Sequence, residues 1–294
     1  MTGAIAHRNR ISLATLATSG WSTTAPIANL STEPLGVKAR STGIGTTGSP
    51  VTISGTFADR FPVEYIGLFA TNFRQSLTYR ARLWADVAKT EQLFDTRDAA
   101  GQDRKVIPNL YDWRDLYWGA PNLLRGDLEP EDFALYPTNV HVDVPFCRPL
   151  AFQIDLVGNG YLPDGTDAGF LEVGLAWISE RVDFDESYDY EHAAVYTPGD
   201  EVTRIGGGGR FVEPGRGTRS HEIPLGSITD AEADRLFDLQ KRTGFAEPVV
   251  WLPDLDDLAR LFRYGFVGTF ADVTRRTARN LDMNDMAIRI EELT

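Results

Sequence analysis

The sequence predicts a mainly β protein: a two-layer antiparallel β-sandwich of discoidin or jelly-roll type, with one carboxyl-terminal α-helix at about 229–243 and long loops. Three observations predict it. Short apolar segments with period-two alternation recur along the chain. Glycine, proline and serine punctuate them, which marks turns between strands. One segment alone carries a full set of helix start and stop signals.

Residues 1 to about 28 are small, polar and threonine-rich without a clean period, and read as an arm or an edge strand. A loop-rich stretch runs from Asn29 to Pro50 and ends in Thr42-Gly43-Ile44-Gly45-Thr46-Thr47-Gly48-Ser49-Pro50. Val51 to Phe57 alternates as a strand, and Glu64 to Ala70 reads as a more deeply buried one. Leu77, Tyr79, Ala81 and Leu83 form one face of the next strand. Thr78, Arg80, Arg82 and Trp84 form its half-solvated other face. Residues of about 86–138 break the rhythm and read as an aromatic-rich loop insertion. Strands resume at Val140–Val144, Ala151–Val157, Phe170–Ile178 and Arg219–Leu225.

Thr229-Asp230-Ala231-Glu232 is a capping box that opens a helix. Ala233, Leu236, Phe237 and Gln240 share its face. Lys241 and Arg242 suit its carboxyl end, and Gly244 stops it. A strand at Pro248–Leu252 follows, then a short helical turn within Asp256–Phe262. Closing strands lie at Tyr264–Val273 and Asn284–Ile290, the last with Met286, Ile288 and Ile290 on one face. Beyond the arm, 29–294 reads as a single large sandwich domain.

The formal net charge is −13, which repels phosphate backbones and anionic membranes, so no nucleic-acid partner is expected. No apolar run reaches the ~20 residues of a membrane span, and the amino terminus lacks a secretory pattern, so no membrane insertion is expected. Cys147 is the single cysteine; it excludes an intrachain disulfide and reads as a buried structural thiol.

The four histidines, His7, His141, His192 and His221, show no metal-ligand spacing. Ser220 and His221 are strand neighbours that point to opposite faces, so they do not make a nucleophile–base pair. Gly206 to Gly209 lacks the Gly-Lys-Ser/Thr ending of a phosphate loop and reads as a hairpin tip. Carboxylates are plentiful, and counting alone leaves a glycosidase pair open. The dense acids between Asp183 and Glu191 read as a solvated edge or a surface for basic partners. Asn159 to Asp167 is rich in oxygen ligands but lacks EF-hand spacing, so a metal-free Asx turn is expected.

Ala28-Asn29-Leu30, Val63 to Asn72, Leu77-Thr78-Tyr79-Arg80-Ala81-Arg82-Leu83, Val249 to Asp254 and the ending Met286 to Leu293 occur in an order that resembles tail-tip or baseplate structural proteins of tailed bacteriophages with a discoidin-like sandwich. The resemblance covers about two thirds of the chain. It implies a virion tail component assembled in the host cytoplasm, held by other tail proteins in a homo-oligomeric ring. It brings no catalytic, cofactor or metal residues.

The expectation is thus a non-enzymatic assembly protein without cofactor. Its candidate interaction surface is Tyr111, Trp113, Tyr117 and Trp118. A second reading is a carbohydrate-binding or receptor-binding module, with Trp84, Trp113 and Trp118 available to stack on sugar rings. A third is a glycan-degrading enzyme.

Overall fold

The computed structural model describes residues 3–32, 35–108, 110, 138–162, 165–184, 193–199, 201–205, 209–213, 217–272, 275–280 and 283–293. The first strands are β1 (Ala4–His7), β2 (Ala14–Leu16), β3 (Ala39–Arg40), β4 (Val51–Phe57), β5 (Val63–Thr71), β6 (Thr78–Trp84), β7 (Gln92–Asp95) and β8 (Arg104–Lys105). Then come β9 (Thr138–Cys147), β10 (Ala151–Val157), β11 (Glu172–Val173), β12 (Leu175–Asp183), β13 (Ala193–Thr197), β14 (Glu201–Ile205), β15 (Gly209–Glu213) and β16 (Thr218–Thr229). Helix α1 (Asp230–Thr243), β17 (Val249–Leu252), α2 (Leu258–Tyr264), β18 (Phe266–Phe270), β19 (Arg275–Asn280) and β20 (Met283–Glu292) complete the order.

The chain divides into two compact units. Unit 1 comprises 1–7, 182–256 and 266–294, and unit 2 comprises 8–181 and 257–265. The expectation of one domain over 29–294 is therefore corrected, and so is the free arm. Ala4, Ile5 and Ala6 are fully buried and pair with Leu252, Trp251 and Val250 of β17. Three apolar residues in a four-residue strand make too short a pattern to stand out from the polar residues around them.

Unit 2 is a two-layer antiparallel sandwich. One sheet runs β2-β4-β10-β6-β7, with β8 also on β6, and the other contains β12-β5-β9. Period-two alternation decides which side chains lie between the layers. Leu77, Tyr79, Ala81 and Leu83 are buried, while Arg80 and Arg82 of β6 lie on the opposite face and are only half-buried. Ile53, Phe57, Phe152, Ile154 and Leu156 meet Ile66, Leu68, Val140, Val142 and Ile178 in one core. Burying a side chain such as Phe152 contributes about 1.5–3 kcal/mol.

Two sequence expectations change within this unit. The run Phe170–Ile178 breaks into β11 and β12 at Gly174, where a Cβ would collide with the Leu35 carbonyl oxygen and the Ala70 methyl. The loop insertion at 86–138 holds β7, β8 and the core residues Val106, Ile107 and Leu110. Residues 109 and 111–137 of it lie outside the described residues.

Unit 1 builds a sheet in the order β13-β16-β20-β18-β17-β1, with β19 also on β20. Ile223, Leu225, Met286, Ile288 and Ile290 join Trp251, Phe266 and Ile5 in its core. Helix α1 packs on β16 and β20. The Thr229 hydroxyl accepts from the Glu232 N–H at 3.2 Å, as the capping box predicts. Gly244 ends the helix with φ +58. The buried stripe is Ala233, Leu236, Leu239 and Thr243, whereas Phe237 is exposed. The 3.6-residue period carries the buried face through 232, 236, 239 and 243, which leaves 237 outside it.

Candidate functional site

A cleft of about 330 Å³ opens on unit 2 between residues 17–20 after β2, the loop at 42–50, and the first half of β4. That volume falls at the small end of ligand pockets. Backbone hydrogen bonds fix its walls. Ala17 N–H donates to the Ser54 carbonyl at 2.9 Å, and Thr42 N–H donates to that of Gly20 at 2.9 Å. Thr46 and Ser49 exchange hydrogen bonds of 3.0 and 3.1 Å, closing the tip of the 42–50 loop. Gly45 and Gly158 exchange another pair, of 3.1 and 2.9 Å. A Cβ on Gly45 would strike the Leu156 carbonyl oxygen, so this close approach requires glycine. Beside the cleft, the buried Trp21 donates its Nε1–H to the Thr52 carbonyl at 2.9 Å.

The chemistry of the lining is uniform. Ser19, Thr42, Ser49, Thr52 and Ser54 present hydroxyls, while Ile44, Pro50 and Val51 supply apolar surface. No ionisable side chain lines the cleft. The hydroxyls of Ser19, Ser49 and Ser54 have no hydrogen-bond partner within the described residues. Each hydroxyl is one donor and a double acceptor, so a neutral ligand bearing many hydroxyls can match them without the cost of burying charge.

A polar sheet face adjoins the cleft. Thr52 and Ser54 stand opposite Asp155 and Gln153 of β10, which in turn stand opposite Arg80 and Arg82 of β6. Asp155 accepts from the Thr52 hydroxyl at 2.9 Å and from the Gln153 amide at 2.8 Å, and it is ion-paired with Arg82. Arg80 grips Asp95 of β7 in a bidentate pair, Nε–Oδ1 3.0 Å and Nη2–Oδ2 2.6 Å. Burial pushes the Asp95 carboxyl up, but hydrogen bonds from Arg80 and the Arg97 N–H outweigh this and hold it below the usual carboxylate range. The same hydrogen bond raises Arg80.

Lys89 reaches this face from a tight turn. Asp86 accepts from the N–H groups of Thr90 and Glu91 at 3.0 and 2.8 Å. Lys89 itself adopts φ +61, a conformation that non-glycine residues rarely hold. Its ammonium donates to the Gln153 Oε1 at 2.9 Å and lies 5.1 Å from the centre of the Trp84 ring. Arg82 approaches the same ring at 5.3 Å. Burial lowers the Lys89 pKa, as does the charge of Arg82, with Asp155 opposing both.

No protein-family model and no curated protein matches the chain. Among solved structures it is similar to CBM32-1 from a family 31 glycoside hydrolase of Clostridium perfringens, at 10% identity and a TM-score of 0.37, over 59% of this chain and 99% of that one. A likeness so distant carries no argument about ligand or mechanism. Nothing in these comparisons indicates a phage tail protein.

The sequence-predicted residues scatter. Tyr111, Trp113, Tyr117 and Trp118 lie outside the described residues. Trp84 is buried, with Arg82 and Lys89 within reach of its ring, so it offers no open platform for a sugar. In the 159–167 loop Arg74 pairs with Asp167 at 2.7 Å and bonds the Gly165 carbonyl at 2.7 Å, supplying the positive charge that a cation would bring. No group of three or more His, Cys, Asp or Glu able to hold a metal ion occurs among the described residues. His221 is buried within ring-contact distance of Trp251 and Phe266. Residues 185–192 and 206–208 lie outside the described residues. No helix among the described residues is long and apolar enough to cross a membrane.

Sequence reasoning missed the cleft. Its stretches are separated along the chain, and none has a motif of its own. The available signal was the hydroxyl and glycine density of 42–50, which read only as turns.

Proposed function

We propose that the protein is a non-enzymatic binding module that takes neutral sugar hydroxyls in the cleft of unit 2. The observation that carries this reading is the cleft lining: five hydroxyls, no charge, and three serine side chains without an internal partner. A saccharide offers the complementary set, hydroxyls for hydrogen bonding and C–H faces for Ile44 and Pro50. Neither a nucleic acid nor a metal ion suits an uncharged lining.

The virion-tail reading rests on the sequence resemblance alone and gains no support from the geometry of this site. A glycan array with purified protein tests the proposal. Binding to a defined saccharide set is expected, and it should be lost in Gly43→Trp. Gly43 lines the cleft and a Cβ there meets nothing within 4 Å, so the variant adds bulk at the cleft without a clash at Cβ. An unchanged melting temperature would show that the variant still folds. Saccharide binding that survives Gly43→Trp would contradict the assignment of the cleft.

A further inference from the structure

Lys89 is the feature of the polar face that the fold itself leaves unexplained. Arg80 and Arg82 each hold a carboxylate, Asp95 and Asp155 respectively. Lys89 holds none: its contacts are a neutral amide and a ring face. One of its three N–H donors is used, and the other two have no acceptor among the described residues. The chain holds it there in a left-handed backbone conformation, while Asp86 stitches the turn that carries it. A strained backbone that delivers a half-buried cation with no carboxylate in hydrogen-bond contact is a costly arrangement for a purely structural residue.

Its position relative to the cleft is set by strand register. Ser54 lines the cleft and is the cross-strand partner of Gln153, the residue to which Lys89 donates. Neighbouring strands lie about 4.8 Å apart, so Lys89 is held roughly one strand beyond the cleft wall. A ligand with its hydroxyls against Ser54 and Thr52 would direct its next substituent toward the ammonium.

Resting on the carbohydrate reading above, we infer that the cleft and Lys89 form one extended site for an acidic saccharide, with hydroxyls in the cleft and a carboxylate or sulfate on Lys89. The burial that lowers the Lys89 pKa also leaves its charge less screened, which strengthens a short-range contact with an anion. The net charge of −13 acts against long polyanions at distance. The site thus selects a short acidic saccharide, and not a nucleic acid or a long, heavily sulfated polymer.

The test uses the full chain and matched probes: oligogalacturonate, its methyl ester, and inorganic sulfate, each titrated calorimetrically at low salt. Oligogalacturonate is expected to bind at least ten-fold more tightly than the ester, and sulfate alone only weakly. Lys89→Met should erase the preference while keeping ester binding, and Lys89→Arg should retain it. Equal affinity for acid and ester in the wild type would overturn the acidic-ligand inference and leave the cleft assignment standing. So would a preference that survives Lys89→Met. Sulfate binding as tightly as the oligosaccharide would reduce the site to a simple anion site and overturn the inference too. Failure of every saccharide, both here and on the glycan array, would sink the carbohydrate reading along with it.

Discussion

Unit 1 and unit 2 solve the same packing problem with different covers. Each has antiparallel strands whose apolar residues need a second layer. In unit 1 helix α1 supplies cover through Ala233, Leu236 and Leu239, around a core anchored by Trp251 and Phe266. In unit 2 a second sheet supplies it, and the core is filled by Phe152, Phe57 and Phe73 with many aliphatic residues. A helix satisfies its own backbone, whereas a sheet laid on a sheet needs loops to connect the layers. The cleft forms at the connections 17–20 and 42–50, which lead from β2 by way of β3 to its neighbour β4 in the same sheet. The lesson is that sandwich construction leaves hydroxyl-bearing connections and an ion-paired outer face free for recognition.

The largest effects should come from the two cores. Trp251→Ala should destabilise unit 1 by about 3–5 kcal/mol, and Phe152→Ala should do the same to unit 2. Both side chains are fully buried. Hydrogen exchange would distinguish them, with amides of β17 and β18 losing protection in the first variant and those of β4 and β10 in the second. A uniform loss across both units from either substitution would break the comparison.

Next in size is the ion-paired face. Arg82→Met leaves Asp155 with only its Thr52 and Gln153 partners and should cost about 2 kcal/mol in denaturant unfolding of unit 2, less than a fully buried pair because both side chains keep some solvent. Acid should act on the same face through Asp95. Its folded pKa is depressed, so its contribution is complete above the unfolded value of about 3.9 and is lost as pH falls through the lower folded value. The stability of unit 2 should therefore decline in acid, and Asp95→Asn should flatten that decline.

Smaller again is the helix cap. Thr229→Ala removes the acceptor for Glu232 N–H and should cost unit 1 about 1 kcal/mol, read from its denaturation midpoint. The least disruptive probe is Cys147, whose thiol is pushed up to about 11 by burial and by the nearby charge of Glu64. Alkylation at pH 8 should be slow, and it should accelerate only as the pH approaches that value.

Strands were legible wherever burial on one face imposed period two over six or more residues, as in Val51–Phe57 and Ala151–Val157, whose bounds match the sequence expectation. The capping box gave the helix start for the same reason: its signal is local. The division into units was not legible, because unit 1 is assembled from three separate segments and no shift in composition marks residues 7, 181, 256 or 265. The cleft was hidden likewise. Ser19, Ser49 and Ser54 come together only through the pairing of β2 with β4 and the bonds of the 42–50 loop. Trp84 misled as a sugar platform because it is buried, with Arg82 of β6 and Lys89 of the following turn within reach of its ring.

Hydrogen exchange with and without a saccharide taken from the array tests the central claim most directly. Ligand should slow exchange at residues 17–20, 42–50 and the start of β4. Protection confined to 111–137, around Tyr111, Trp113, Tyr117 and Trp118, would contradict the cleft and return the site to those aromatic residues.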